Sequence, residues 1–264
     1  MSIEDEMQVY DAAETSNTTG ETESYDYAFF SNVIRKRELE LIQRVIEVDK
    51  PKLILDYGCG GGWLSLFLLK WRYNFVGVDV SKNMVRTAKI VCPAADFIVC
   101  DAMKLPFKSD SFSFVIGISI LHHLNLRNAT NELKRISITQ TSFLFMEPNL
   151  LNPFSAFGRK VFPMKAHTKG EKPFTPEYLN TSLVLAGFKV ERCFSIFCIA
   201  FSVARFFKIA RLRPSSNMVK TAYFFENVME KVPAIRYLNS NIVVVGKITR
   251  IMPENGRYVE KECM

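Results

Sequence analysis

The feature that most constrains the fold is an alternation of apolar runs with helix-like segments, which begins at Lys52. The runs KLILDY, NFVGVDV and DFIVCD are almost continuously apolar and each ends in or next to an aspartate, while WLSLFLLK and SKNMVRTAKIV lie between them. Because strands buried on both faces carry uninterrupted apolar sequence, this alternation is typical of a parallel sheet covered by helices on both sides. Further strands are predicted at SFSFVIGISI, TSFLFMEP and NIVVVGKI. We therefore expect a doubly wound α/β domain.

The length of the chain suits one main domain with flanking and inserted segments. With 264 residues, of which 48% are hydrophobic, the sequence supplies enough apolar material for one sizeable core. Residues 1–24 are acidic and nearly free of large aliphatic side chains, which predicts a disordered segment. We expect the domain at residues 25–250, with helical cap insertions at about 148–175 and 196–238, and a flexible tail at 251–264.

The spacing of the cysteines and the hydropathy of the chain predict the cellular compartment. The six cysteines form no CxxC pair and no charged-then-apolar signal segment precedes them, so we expect reduced thiols in a cytoplasmic protein. No apolar run reaches the roughly 20 residues that cross a bilayer, so no transmembrane segment is predicted. Three dispersed histidines and unpaired cysteines predict no metal site.

A glycine-rich turn, ILDYGCGGGW at residues 54–63, follows the first predicted strand. Glycine costs backbone entropy, so this cluster indicates that a ligand approaches the main chain closely. The dinucleotide pattern G-x-G-x-x-G, read from Gly58, would place Trp63 at its third glycine, which disfavours a nicotinamide-dependent oxidoreductase. A sulfonium nucleoside has no pyrophosphate to neutralise and can lie close to a bare backbone. The alternative pattern D-x-G-x-G-x-G is filled completely by Asp56, Gly58, Gly60 and Gly62.

Aspartates at the ends of the second and third apolar runs fit the same ligand. Asp79 ends the second run, where a carboxylate can accept hydrogen bonds from both ribose hydroxyls. Asp101 and Ala102 follow the third run and suit an adenine, since the acid can accept from the exocyclic amine and the small neighbour leaves room for the ring. Ligands of doubly wound sheets bind beyond the carboxyl ends of the strands. We therefore expect these residues and the glycine-rich turn to enclose an adenosine that carries an amino-acid tail.

These residues carry a family resemblance. The segments LILDYGCGGG, FVGVDVS, CDAMKLPFKSDSFSFVIGISILHHL and FLFMEP resemble the successive motifs of class I S-adenosylmethionine-dependent methyltransferases, closest to the group of quinone-biosynthesis and other small-molecule methyltransferases, over about residues 45–195. The resemblance implies S-adenosylmethionine as the cofactor. It also implies a Rossmann-like, mostly parallel seven-stranded sheet whose last strand, NIVVVGKI, is antiparallel. The cofactor-binding residues that it implies are Asp56, Gly58, Gly60, Asp79, Ser81, Asp101, Ala102 and Ile118.

Methyl transfer makes a dedicated acid or base optional, because near-attack positioning alone supplies up to roughly 7–11 kcal/mol. A hydroxyl acceptor would gain about 10²–10⁴-fold from a general base. The candidate catalytic residues are His122 and His123, which follow the fourth predicted strand, and Glu147. The alternative for each is structural: the histidines shape the pocket or cap the next segment, and Glu147 is a strand-end carboxylate. Tyr25 and Tyr27 are expected to close over the cofactor rather than to take part in the chemistry.

The segment that we expect to lie near the methyl acceptor is both basic and apolar. Residues 194–214 run from apolar positions into a segment whose cations and aromatic side chains fall on opposite sides of a helix. This segment is either a cap over the substrate pocket or a peripheral contact with an anionic membrane through residues 196–213. We expect a small, apolar or lipid-linked acceptor. Nucleic acid is disfavoured, since no basic module with interleaved aromatic residues occurs. A non-catalytic subunit that binds S-adenosylmethionine is the remaining alternative.

Overall fold

The computed structural model of the chain describes residues 25–153, 173–196 and 238–249, together with single positions between 215 and 228. The helices within the three continuous ranges are α1 (Tyr25–Asp49), α2 (Trp63–Lys70), α3 (Lys82–Val91), α4 (Leu126–Ile136) and α5 (Pro176–Leu185). The strands are β1 (Ile54–Tyr57), β2 (Phe75–Asp79), β3 (Asp96–Val99), β4 (Phe112–Ile118), β5 (Ser137–Pro148), β6 (Phe188–Ile196) and β7 (Asn241–Ile248). A short 3₁₀ turn spans Leu121–His123.

The seven strands form one sheet in the order β3-β2-β1-β4-β5-β7-β6. Strands β1 to β5 pair in parallel, whereas β7 lies between β5 and β6 and runs antiparallel to both. The predicted doubly wound, mostly parallel sheet of seven strands with an antiparallel last strand is therefore confirmed.

The core lies on both faces of this sheet, as the uninterrupted apolar strands require. Ile54 belongs to a buried cluster with side chains of α1, α2 and α3, and its neighbour Leu55 belongs to a second cluster with side chains of α4 and α5. Successive strand residues point to opposite faces, so both must be apolar when both faces are covered.

Side-chain caps mark where three of the helices begin. Ser81 accepts a hydrogen bond from the Met84 N–H at the start of α3, and Asn125 does the same for α4. Thr175 caps α5, where Pro176 occupies the first helical position. Each cap satisfies a backbone donor that a helix N-terminus leaves without a partner.

Several expectations fall on residues outside the described ranges. These are the acidic segment 1–24, the tail 251–264 and most of the insertions at 148–175 and 196–238. The proposed membrane contact at 196–213 likewise lies outside them, apart from Ile196. Within the described part of the chain, no helix combines the length and the apolar character that crossing a membrane demands.

Candidate active site

The candidate site lies where the order of the parallel strands reverses. Strand β1 sits between β2 and β4, so the chain leaves it towards β2 and β3 on one side and later returns on the other. In such sheets a crevice opens beyond the carboxyl ends of the strands at this point. Asp56 lies within β1, Asp79 is the last residue of β2, and Asp101 follows two residues after β3. The topology thus brings the three predicted acids to the same edge of the sheet.

The glycines of the turn after β1 serve different purposes. Gly58, Gly60 and Gly62 have φ angles of 75°, 52° and 85°, in the left-handed region that favours glycine. A Cβ atom at Gly58 would lie 2.9 Å from the Ile120 side chain, and one at Gly62 would lie 2.9 Å from the Ala88 backbone. At Gly60 a Cβ atom would meet nothing within 4 Å. The outer two glycines are therefore needed for close packing, while the middle one borders open space.

Asp79 ties the end of β2 to this turn. Its Oδ2 accepts a hydrogen bond from the Gly60 N–H at 3.0 Å, and its Oδ1 accepts one from the Ser81 N–H at 2.8 Å. An ionised carboxylate offers about four lone-pair sites, so two remain on this half-buried side chain. The hydroxyl of Ser81 accepts from Met84 N–H and caps α3. Asp79 therefore holds the turn in place and keeps capacity for a ligand.

Asp56 is enclosed by the protein, with 4% of its surface exposed. Its Oδ2 accepts a hydrogen bond of 2.6 Å from the Ser65 hydroxyl of α2. Burial raises the pKa of Asp56 to about 7; the Ser65 hydrogen bond opposes this rise, and the nearby charge of Asp79 adds to it. The carboxyl group thus contacts the helix behind the glycine-rich turn, a partner that the sequence interpretation did not foresee.

The segment after β3 is anchored to β1. The Tyr57 hydroxyl donates a hydrogen bond of 2.8 Å to the carbonyl oxygen of Ala102, whose side chain is buried. Asp101 is exposed, and its Oδ1 accepts from the Met103 N–H at 2.8 Å. Ile118, at the end of β4, is half-buried. The residues predicted to contact adenine therefore sit on a fixed backbone at the sheet edge.

A second group of polar contacts lies at the ends of β4 and β5. Glu147, which is fully buried, accepts hydrogen bonds from the N–H groups of Ile120 and Leu121 at 3.0 and 2.8 Å. It also pairs with His122, whose backbone N–H lies 3.3 Å from Oε2 and whose Nδ1 lies 2.7 Å from the same oxygen. The ring of His123 is exposed and lies 4.0 Å from that of His122, centroid to centroid. The structure thus brings together all three candidate catalytic residues.

Sequence reasoning missed three residues that build this region: Tyr57, Ser65 and Ile120. The sequence contains a feature that indicates the importance of two of them, Ser65 and Tyr57. Ser65 is the one hydroxyl in the apolar run WLSLFLLK, and a buried hydroxyl needs a hydrogen-bond partner. Tyr57 ends a buried strand, where its O–H also requires a partner. Ile120 carries no such signal, because its contact with Gly58 depends on how β4 lies beside β1.

Comparisons with known proteins agree with this geometry. Residues 54–137 match the family described as a methyltransferase domain. An uncharacterised protein of Methanocaldococcus jannaschii is 32% identical over 107 residues, which are 40% of this chain and 45% of that protein. The tRNA (carboxymethyluridine(34)-5-O)-methyltransferase of Saccharomyces cerevisiae is 30% identical over 81 residues, which are 31% of this chain and 28% of that protein.

A solved structure extends the likeness beyond the matched segment. A SAM-dependent methyltransferase from Archaeoglobus fulgidus aligns with a TM-score of 0.57 at 19% identity, over 81% of this chain and 93% of that one. At this identity the likeness shows the shared fold. The chain spans less than half the length of each of the two relatives above. The family match covers the glycine-rich turn, Asp79, Asp101 and the histidine turn. Residues 54–137 therefore carry a methyltransferase domain, and the match supports the predicted resemblance to class I S-adenosylmethionine-dependent methyltransferases with S-adenosylmethionine as the cofactor.

Proposed function

We propose that this chain transfers the methyl group of S-adenosylmethionine to an acceptor bound beyond the ends of β4 and β5. The observation that carries the proposal is the open space at Gly60, beside a carboxylate that holds the turn and keeps about two lone-pair sites. No side chain lies within 4 Å of where a Cβ atom would stand at Gly60, as the close approach of a nucleoside to the main chain requires. The residues present therefore fit the cofactor.

Each predicted cofactor residue has a distinct task in this proposal. The bare turn at Gly60 admits the cofactor close to the main chain, and Asp79 accepts from the ribose hydroxyls. Asp101 accepts from the adenine amine, while the Tyr57 hydroxyl fixes the adjacent backbone at Ala102. When bound, the cofactor supplies an activated methyl group. The protein then has to orient the acceptor and exclude water, which is where most of the rate enhancement would arise.

For the acceptor we propose a small, apolar or lipid-linked molecule. Leu150 and Leu151 lie two and three residues after the end of β5 and are 45% and 44% exposed, so an apolar surface borders the predicted acceptor side. RNA is the second candidate. The yeast relative is named as a tRNA methyltransferase, and the chain has a net charge of +7. The sequence-based prediction against nucleic acid therefore has no support from the comparisons.

Titration calorimetry with S-adenosylmethionine and with S-adenosylhomocysteine tests the cofactor site. We expect both to bind, and Asp79→Ala to weaken binding by about 10–100-fold, since hydrogen bonds to a charged group contribute about 1.5–3 kcal/mol. Asp96→Ala is the matched control, because this exposed aspartate lies at the opposite end of a neighbouring strand. Lack of affinity for both compounds, or binding of a nicotinamide dinucleotide instead, would overturn the proposal.

Transfer of a tritiated methyl group into fractionated cell extract tests the acceptor. The purified protein is incubated separately with lipid, quinone, polar-metabolite and RNA fractions. Label in the lipid or quinone fraction supports the proposed acceptor, and label in RNA supports the second candidate. If the cofactor binds but no fraction takes up label, the chain is the non-catalytic binding subunit instead.

A further inference from the structure

The contacts of Glu147 distinguish two functions that a carboxylate can have in an active site. An ionised carboxylate offers about four lone-pair sites. Glu147 receives four donors from a single turn: the N–H groups of Ile120, Leu121 and His122, and the Nδ1 of His122. Its accessible surface is 0%. These four donors occupy its lone-pair sites, which favours the structural alternative for Glu147 over the function of a general base.

The same contacts fix the protonation pattern of His122. A carboxylate has no proton to give, so the nitrogen that faces it must be the donor. Nδ1 lies 2.7 Å from Oε2, and in a neutral imidazole the hydrogen then resides on Nδ1 while Nε2 is the acceptor. The side chain of His122 is 8% exposed, and the His123 ring packs beside it. The imidazole is thus held in one orientation with its basic nitrogen defined.

This turn is also fixed relative to the proposed cofactor site. The Ile120 side chain packs so closely on Gly58 that a Cβ atom there would lie 2.9 Å from three of its carbons. Ser119, just before it, has a φ of 55° and donates its N–H to the Met146 carbonyl at 2.7 Å. A non-glycine residue in this conformation is strained and is retained where the surroundings impose it. The histidine turn and the glycine-rich turn therefore form one packed unit.

We propose that Glu147 is a positioning residue that makes His122 Nε2 the proton acceptor for a hydroxyl-bearing substrate. The inference rests on the proposed function and names the acceptor chemistry of that same site. The acceptor O–H bond breaks and its proton passes to Nε2, while the oxygen forms its new bond to the methyl carbon and the carbon–sulfur bond breaks. The positive charge of the sulfonium is replaced by one on the imidazole, which the Glu147 carboxylate stabilises.

An acceptor that can attack the methyl group without first losing a proton would not need this arrangement. A neutral amine or a thiolate already presents a lone pair to the methyl group, whereas an alcohol or phenol gains from losing its proton as the bond forms. The geometry therefore favours a hydroxyl acceptor over an amine or a thiolate. A carbon acceptor also loses a proton when it is methylated, and the position of the methyl group in the product distinguishes it from a hydroxyl.

The tautomer of His122 can be measured without knowing the acceptor. The chain has three histidines, so two-dimensional ¹⁵N–¹H NMR gives a spectrum that His122→Gln, His123→Gln and His167→Gln assign. In the neutral ring of His122 we expect the hydrogen on Nδ1. In Glu147→Gln the amide NH₂ faces Nδ1, and the hydrogen should move to Nε2. A wild-type His122 with hydrogen on Nε2, or a tautomer unchanged in Glu147→Gln, would contradict the inference.

Transfer assays on the labelled fraction complete the test. His122→Gln and Glu147→Gln should each lower kcat by about 10²–10⁴-fold and leave the affinity for S-adenosylhomocysteine unchanged. Lys108→Ala changes an exposed residue before β4 and is the control.

Mass spectrometry of the product should place the methyl group on oxygen. A methyl group on nitrogen, carbon or sulfur overturns the inference, and so does a full kcat in His122→Gln. If the wild-type protein does not bind the cofactor, the proposed function is overturned instead. If Glu147→Gln does not fold, the tautomer in the wild-type spectrum and the kcat of His122→Gln still test the inference.

Discussion

The two sides of the site use carboxylates in opposite ways. On the cofactor side, formed by the glycine-rich turn with Asp79 and Asp101, Asp79 is half-buried and Asp101 is exposed, and Asp79 has two protein donors. On the acceptor side, formed by Glu147 and the turn Leu121–His123, the Glu147 carboxylate is fully buried and accepts from four protein donors. The number of donors already bound thus separates a carboxylate that can meet a ligand from one that holds other groups in place.

The largest predicted effect comes from removing the buried carboxylate. Glu147→Ala leaves three N–H groups and the His122 ring without their acceptor, so we expect the free energy of unfolding to fall by about 3–5 kcal/mol. Asp101→Ala, on the cofactor side, should change it by less than about 1 kcal/mol, because that side chain is exposed. Urea denaturation of both variants measures the difference. Equal losses would remove the distinction between the two sides.

The glycines of the cofactor side give a second, smaller contrast. Gly62→Ala places a Cβ atom 2.9 Å from the Ala88 backbone, which cannot move aside, and should cost about 1–3 kcal/mol beyond the strain of its positive φ. Gly60→Ala meets open space and should cost only that strain, about 1–2 kcal/mol. Its Cβ atom would nevertheless enter the proposed cofactor space, so the affinity for S-adenosylhomocysteine should fall at least about tenfold.

Thermal or urea unfolding together with calorimetry separates these two effects. If Gly60→Ala binds S-adenosylhomocysteine like the wild type, then the open space at that turn is not where the cofactor lies.

The sequence predicted one side of this comparison better than the other, for a physical reason. Local sequence patterns predict the strands, the glycine-rich turn and Asp79, since an apolar run indicates a buried strand and a glycine cluster indicates a turn without reference to distant residues. The contacts of Glu147 join β5 to a turn 25 to 27 residues earlier, so no local pattern contains them. Asp56 lies between these cases: its place at the sheet edge was predictable, but its contact with Ser65 depends on how α2 packs.

Asp56 also makes the stability of the cofactor side depend on pH. Its pKa in the folded protein is about 7 against an ordinary value of 3.8, mainly because it is buried. Between these two values the folded protein binds more protons than the unfolded chain, so the free energy of unfolding should fall as the pH rises from about 4 to about 7, by up to about 1.4 kcal/mol per pH unit. Urea denaturation of the cofactor-free protein at several pH values measures this slope.

Two variants assign the slope to this carboxyl group. Asp56→Asn should abolish it. Ser65→Ala removes a hydrogen bond that lowers the pKa, so the decline should extend to higher pH. A slope that persists in Asp56→Asn would belong to another buried acid, such as Glu38 in α1, whose pKa burial also raises.

The smallest effect should come from the hydrogen bond that anchors the adenine segment. Tyr57→Phe removes the donor to the Ala102 carbonyl while the ring still fills its buried position, so we expect a loss of about 0.5–1.5 kcal/mol in the free energy of unfolding. Because this bond fixes the backbone beside Asp101, the affinity for S-adenosylhomocysteine should also weaken, by no more than about tenfold. The acceptor side should not respond, so the NMR signals of His122 should keep their tautomer. If Tyr57→Phe shifted that tautomer, the two sides would be coupled through β1 and β4, and the separation drawn from their carboxylates would fail.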